Sequence, residues 1–304
     1  MGDSVGNSGP DPAIRLAVVT RRLLAVHAHP DDESITMGGT LASCTARGAS
    51  VTLVTCTLGE QGEVIDDGTS APVAGLVADV ADQLGGYRWW ELRAACTQLG
   101  ISDSRLLGGA GAYRDSGMAG TASAEHPRAF VRAAVGAPDH DRAVADLVAV
   151  IDEVGPQVLL TYDADGGYGH PDHVTAHQVA VAAAAAAGVP RVLAVVRPRA
   201  VVAEVLDRFV GPAGRPRAAP DDLGFQVDDA LVDVAVPVHW WAPVRHAALA
   251  AHTTQLRVFD GGFALSNGIA QPVFDHEYFR VLSGPRPPDD SDAGIASDVF
   301  AGLP

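Results

Sequence analysis

The chain has 304 residues, 47 % hydrophobic and 19 % charged, which is enough to bury a full core in one large domain or one domain with a small appendage. Its 37 acidic and 21 basic side chains give a formal net charge of −16, which argues against nucleic acid or an anionic membrane as partner. The three cysteines, Cys44, Cys56 and Cys96, form no CxxC and read as small buried hydrophobes of a reducing compartment.

Met1 to Pro12 is mostly Gly, Ser, Asp and Pro without a basic n-region, so a disordered leader is expected there rather than a signal peptide. Arg22 to Val26 is a short apolar run suited to a buried parallel strand. Ser34 to Arg47 reads as a helix stopped by Gly48, and Val51 to Cys56 as a second strand rich in β-branched residues. Leu58 to Gly68 is a polar loop, Tyr87 to Leu99 a helix ending at Gly100, and Arg105 to Leu107 a third strand. The irregular stretch from Gly108 to Pro138 is long enough to be functional or disordered. Asp141 to Val154 reads as a helix, Val158 to Tyr162 as a strand, Pro171 to Ala187 as a helix and Arg191 to Val196 as a strand.

This alternation predicts an α/β fold, a mostly parallel sheet with helices on both faces. The most apolar segment, Val179 to Val189, is mostly alanine and shorter than a membrane span, so a cytoplasmic protein is expected. Further on, Gly211 to Asp222 reads as a mobile linker, Ala230 to Val236 as a strand and Val244 to Leu256 as an amphipathic helix. Pro285 to Asp292 reads as disordered.

Two short stretches carry the chemistry: His29-Pro-Asp-Asp32 and His170-Pro-Asp-His173, about 140 residues apart. Each follows a predicted strand and opens a helix, the position where open parallel sheets bind ligands. Proline followed by acidic residues is also a good helix start, which accounts for the carboxylates but not for three histidines. If the chain turns into a helix at Pro30, His29 and Asp32 share a face and Asp31 is left free to act on a water. If the strand continued, His29 and Asp31 would share a side. Proline favours the first arrangement. The second stretch offers His170 or His173, with His177 a turn further on as an exposed or supporting residue. Two histidines and one carboxylate suit a catalytic Zn2+ or a non-haem Fe2+. Asp31 could then serve as general base, with His170 or Tyr168 stabilising an oxyanion or protonating a leaving amine.

The run from His27 to Ser34, together with Gly166 to His173, resembles the zinc-dependent N-acetylglucosaminyl deacetylases of the LmbE-like superfamily. Thr55 to Glu60, Ala81 to Arg88 and Arg114 to Thr121 are similar to its mycothiol-pathway branch, which acts on N-acetylglucosaminyl-inositol. The similarity returns at Ala247 to Gln255, Ala264 to Asn267 and Glu277-Tyr278. The segment from Pro190 to Val236 departs from the pattern and looks shortened. The resemblance implies metal ligands at His29, Asp32 and His173, a general base at Asp31, and active-site partners at Tyr168 and His170. It also associates Arg88 and Asp115 with sugar or inositol recognition, with Glu63 as a helper. Without it, Arg88, beside Trp89 and Trp90, could be a surface ion-pair or stacking residue and Asp115 a turn cap.

The implied division is a leader over 1–20, a Rossmann-like metal-hydrolase core over 21–196, a C-terminal portion completing the pocket over 197–284, and a tail over 285–304. The implied partner is a small amino-sugar substrate. A sister amidase acting on mycothiol S-conjugates, a deacetylase of another N-acetyl amino sugar, a metal-dependent esterase and a non-catalytic sugar binder are the competing readings.

Overall fold

Strand β1 (Arg22–His27) lies in the middle of the main sheet, and its residues Leu23 to Val26 are wholly buried. In this computed structural model, which describes residues 20–65, 82–289 and 295–304, β1 pairs in parallel with β2 (Ser50–Thr55) on one side. On the other side it pairs in parallel with β4 (Val158–Tyr162). Strand β3 (Asp103–Leu106) extends the sheet beyond β2, and β5 (Arg191–Pro198) extends it beyond β4. The short β6 (Gln226–Val227) pairs with the end of β5. Two antiparallel strands, β11 (His276–Ser283) and then β7 (Val234–Pro237), continue from β5, giving the order β3-β2-β1-β4-β5-β11-β7. The strand order reverses between β1 and β4, so the carboxyl ends of these neighbours flank a switch-point crevice.

Helices α1 (Asp32–Ala46), α2 (Gln83–Leu99) and α6 (Ala242–Ala251) pack together against the sheet. A second pair, α3 (His140–Val154) and α4 (Pro171–Ala187), also pack on each other. Helix α3 buries Ala143, Leu147 and Ile151, a four-residue spacing that makes one apolar stripe, and ends on Gly155 at φ 58°. Helix α5 (Arg199–Arg208) follows β5 and builds a smaller apolar cluster with Ala218, Leu223 and Phe274. A three-stranded antiparallel sheet, β8 (Arg257–Phe259), β9 (Gly262–Ala264) and β10 (Ala270–Pro272), completes the described fold.

The α/β expectation holds, and the differences are local. The stretch from Gly211 to Asp222 is a built part of the structure: Ala218 N donates to Ala270 O, and Ala270 N donates to Pro216 O. Asp228 accepts from Ala230 N and starts a 3-10 turn over Asp229–Leu231, which delays the next strand to Val234. Helix α6 stops at Ala251 rather than Leu256, because Thr253 and Thr254 bond to the Glu91 carboxylate instead of continuing the helix. Residues 1–19 of the expected leader lie outside the described residues, as do residues 290–292 of the expected disordered tail. The part of that tail before them is tied in: Pro285 O accepts from the buried Arg191. Val299 and Phe300 pack in the main core. All three cysteines are free and buried. No described helix is long and apolar enough to cross a membrane.

Candidate active site

The chain leaves β1 at His27 and enters α1 through Asp31, which sits at φ 116° and ψ −29°. Such a conformation costs a non-glycine residue about 1–3 kcal/mol and persists only when its surroundings impose it. Here Asp31 N donates to Glu33 Oε2 at 3.0 Å, and Asp31 O accepts from Ser34 N and Ile35 N. The turn sends the two adjacent carboxylates in different directions. Asp31 Oδ2 meets Arg88 Nη2 at 3.0 Å, whereas Asp32 Oδ2 accepts from Tyr162 Oη at 2.7 Å and from His29 N at 2.9 Å. This is the helix-start arrangement expected from Pro30.

Asp32 Oδ2 also lies 3.5 Å from His29 Nδ1 and 3.4 Å from His173 Nε2. The His173 ring is fixed from behind, where Nδ1 meets Gly166 O at 3.0 Å, so a neutral ring presents the lone pair of Nε2. Gly166 stands at φ 66°, and a Cβ there would lie 2.7 Å from His173 Cβ, so this approach requires glycine. His29 is fixed in the same way, with Nε2 3.2 Å from Asp172 Oδ2 and 3.6 Å from Asp115 Oδ1. Two overlapping donor groups result, His29 with His170 and His173, and His29 with Asp115 and Asp172, their ligand atoms within 4.8 Å of one another.

The electrostatics favour positive charge at this point. Burial alone would push the His29 pKa down, but Asp115, Asp172 and Asp32 hold it well above its ordinary value. Burial alone would raise Asp32, yet His173 and His29 hold its carboxyl well below the usual range. Asp31 differs: burial pushes it up to about 6, with Arg88 pulling the other way and Asp32 adding to the rise. Burial, helped by His29 and His173, drives His170 down to about 3. Its Nδ1 accepts from Asp172 N at 3.2 Å, which leaves the ring proton on Nε2.

The remaining expected residues line the same cavity of about 470 Å³. Tyr168 is 57 % exposed and stands at its mouth, its ring and that of His173 T-shaped with 5.0 Å between centroids. Glu63 is exposed at the rim. Arg88 is buried, not a surface ion-pair residue, and reaches Gly59 O and Pro30 O as well as Asp31. A side chain at Gly59 would collide with its guanidinium. Asp115 does cap its own turn, accepting from Gly117 N at 2.8 Å, while its other oxygen accepts from Gln61 N. His177 turns away from the cluster, with Nδ1 at 2.8 Å from Tyr162 O. A groove of similar volume beside α5 contains none of these groups.

Three participants escaped the sequence reading. Asp172 looked like a helix N-terminal charge, although its place inside the second His-Pro-Asp unit was a usable signal. Tyr162, the last residue of β4, stacks on His173 at 4.3 Å between centroids, and nothing in the pattern sets it apart from an ordinary strand residue. Glu33 is wholly buried and bonds His252 Nε2 at 2.8 Å.

Fold and cluster together define an α/β protein with a candidate His/Asp metal site at its switch point. The GlcNAc-PI de-N-acetylase (PIG-L) family pattern matches residues 24–184, and the chain belongs to that family, the one expected from the paired His-Pro-Asp units. It is therefore an enzyme that hydrolyses an N-acetyl amide. The chain is 59 % identical to a 1D-myo-inositol 2-acetamido-2-deoxy-alpha-D-glucopyranoside deacetylase of Nakamurella multipartita, over 95 % of this chain and 98 % of the relative. An alignment of that reach takes in most or all of the segment from 190 to 236, which looked divergent. A protein of the same name from Streptomyces scabiei is 46 % identical over 98 % of this chain and 94 % of its own. Among solved structures, a deacetylase–teicoplanin complex has the same fold, with TM-score 0.52, 20 % identity, and 87 % and 99 % coverage of the two chains.

Proposed function

We propose that this enzyme removes the acetyl group from 1D-myo-inositol 2-acetamido-2-deoxy-α-D-glucopyranoside, releasing acetate and the free amine for mycothiol biosynthesis. The activity named for relatives that match nearly the whole chain supports this substrate. The observation that carries the site assignment is His173 Nε2: it is buried, has no hydrogen-bond partner among the described residues, and faces Asp32 Oδ2. A buried lone pair held in this way beside a carboxylate and a second imidazole fits a divalent cation held by His29, Asp32 and His173. We take the cation as Zn2+, with Fe2+ the other ion this donor set suits.

When bound, the cation supplies Lewis acidity toward the acetyl carbonyl and lowers the pKa of water to roughly 7. The Asp31 carboxylate takes the proton of the attacking water, since its raised pKa makes it a better base than an ordinary aspartate. The neutral His170 donates from Nε2 to the oxyanion that develops, with the Tyr168 hydroxyl beside it at the cavity mouth. Asp31 then returns the proton to the nitrogen as the C–N bond breaks. Arg88 orients Asp31, and Asp115 and Glu63 offer acceptors for substrate hydroxyls along the cavity wall. We place the reaction in the cytoplasm, which suits three free thiols.

The test is an amine-release assay comparing this substrate with N-acetylglucosamine and a mycothiol S-conjugate, with and without chelator. Fastest turnover of the inositol compound, abolished by chelator and restored by Zn2+ or Fe2+, is the expected result. Preference for the S-conjugate would overturn the substrate assignment.

A further inference from the structure

One motif of the C-terminal region, His252-Thr-Thr-Gln255, has no part in the reaction as described, yet its first residue ends within the catalytic loop's own hydrogen-bond network. His252 is the C-terminal cap of α6 and is wholly buried. Its Nε2 reaches Glu33 Oε1 at 2.8 Å, across 219 residues of sequence. The same Oε1 accepts from Ser34 Oγ at 2.6 Å, and the other oxygen, Oε2, accepts from Asp31 N at 3.0 Å. One carboxylate thus joins a C-terminal histidine to the main chain of the strained residue at φ 116°.

The turn that carries His252 is itself anchored. Thr253 Oγ1, Thr254 N and Thr254 Oγ1 all donate to the Glu91 carboxylate, at 2.7 to 2.8 Å. Glu91 lies three residues beyond Arg88 on α2, so the two side chains leave neighbouring positions on that helix. Asp31 is therefore gripped twice from connected elements, its carboxylate by Arg88 and its backbone N–H by Glu33. Neither Glu33 nor His252 lines the cavity, and neither reaches the donor cluster.

We propose that Glu33, locked by His252, is a positioning residue: it holds the Asp31 backbone in its left-handed turn so that the carboxylate is kept off the cation and aimed at the attacking water. The proposal rests on the reading of Asp31 as base. A displacement of about 1 Å at such a group can lower a rate by about 10²-fold without touching the substrate.

The experiment measures kcat, KM and bound metal for the Zn2+-loaded enzyme and for E33Q, H252L, H252Q, D31N and the E33Q/D31N double variant. E33Q and H252L should lose about 10²-fold in kcat with KM and metal content unchanged. H252Q, whose amide can still donate to Glu33, should recover most of the H252L loss. E33Q should have no further effect on D31N, because it acts only through Asp31. Wild-type kcat in E33Q and H252L, an equal loss on the D31N background, or loss of metal together with activity would each overturn the proposal. If E33Q does not fold, the H252L and H252Q pair decides the matter. A fully active D31N would instead overturn the base assignment, and the positioning role with it.

Discussion

Asp172 Oδ2 stands 3.2 Å from His29 Nε2, although 143 residues separate the two in sequence. The contact orients the imidazole so that its other nitrogen faces Asp32, the arrangement by which outer carboxylates commonly strengthen histidine ligands. Asp172→Ala should therefore weaken metal binding by about 10- to 100-fold while leaving the fold intact. Competition with a chromophoric chelator measures this, and unchanged affinity would remove Asp172 from the site.

His29→Ala and Asp31→Asn should separate binding from chemistry. The first removes a ligand atom and should yield enzyme without stoichiometric metal. The second keeps the ligand set, so metal should remain while kcat falls by about 10²- to 10⁴-fold. Metal analysis alongside single-turnover rates tells the two apart; metal retained in the His29 variant would contradict its assignment.

Asp31 must be ionised to accept a proton, and burial raises its pKa to about 6. Activity should accordingly decline as pH falls through this value. Arg88 opposes the rise, so Arg88→Met should move the acidic limb to higher pH, by about 1 unit or more. A pH–rate profile of both proteins checks the direction. A limb that stays in place or moves down would show that Arg88 does not tune this carboxylate.

Glu277 should matter to stability. Helix α1 is broken at Met37, which has φ −146° and ψ 20°, and the N–H groups of Gly39 and Thr40 donate to the Glu277 carboxylate at 2.9 and 2.7 Å. The same carboxylate lies 3.4 Å from the buried Arg245. Glu277→Ala would leave that arginine without its ion pair, at a cost of about 3–5 kcal/mol. Urea denaturation measures it, and a loss under about 1 kcal/mol, the scale of an exposed pair, would show the pair to be solvated.

Much of this could be read from sequence where local rules decide. Apolar runs found the parallel strands, glycine and proline marked most helix ends, and Pro30 directed Asp31 and Asp32 apart. What stayed hidden was set by distant partners. Strand β11 joins the sheet beside β5 although it is remote from it in sequence, and no periodicity announces its neighbour. Helix α6 ends early because Glu91, on another helix, captures its threonines. The family resemblance pointed to Arg88 and Asp115, but the contact of Arg88 with Asp31 and the bond from Gln61 N to Asp115 depend on tertiary approach. Tyr162 and Asp172 were missed for the same reason, because each gains its role only when β1 and β4 lie side by side.

That pairing has a consequence for the living cell. His29, Asp31 and Asp32 leave the ribosome first, and His173 emerges more than 140 residues later. At roughly 5–20 residues per second, the interval is on the order of ten seconds. Throughout it the nascent chain holds only part of the proposed ligand set, so a cation captured early would have too few ligands to be retained. With His29, Asp32 and His173 as the proposed ligands, metal loading would be a late event in the protein's biogenesis, coupled to closure of the sheet rather than to translation of the first motif.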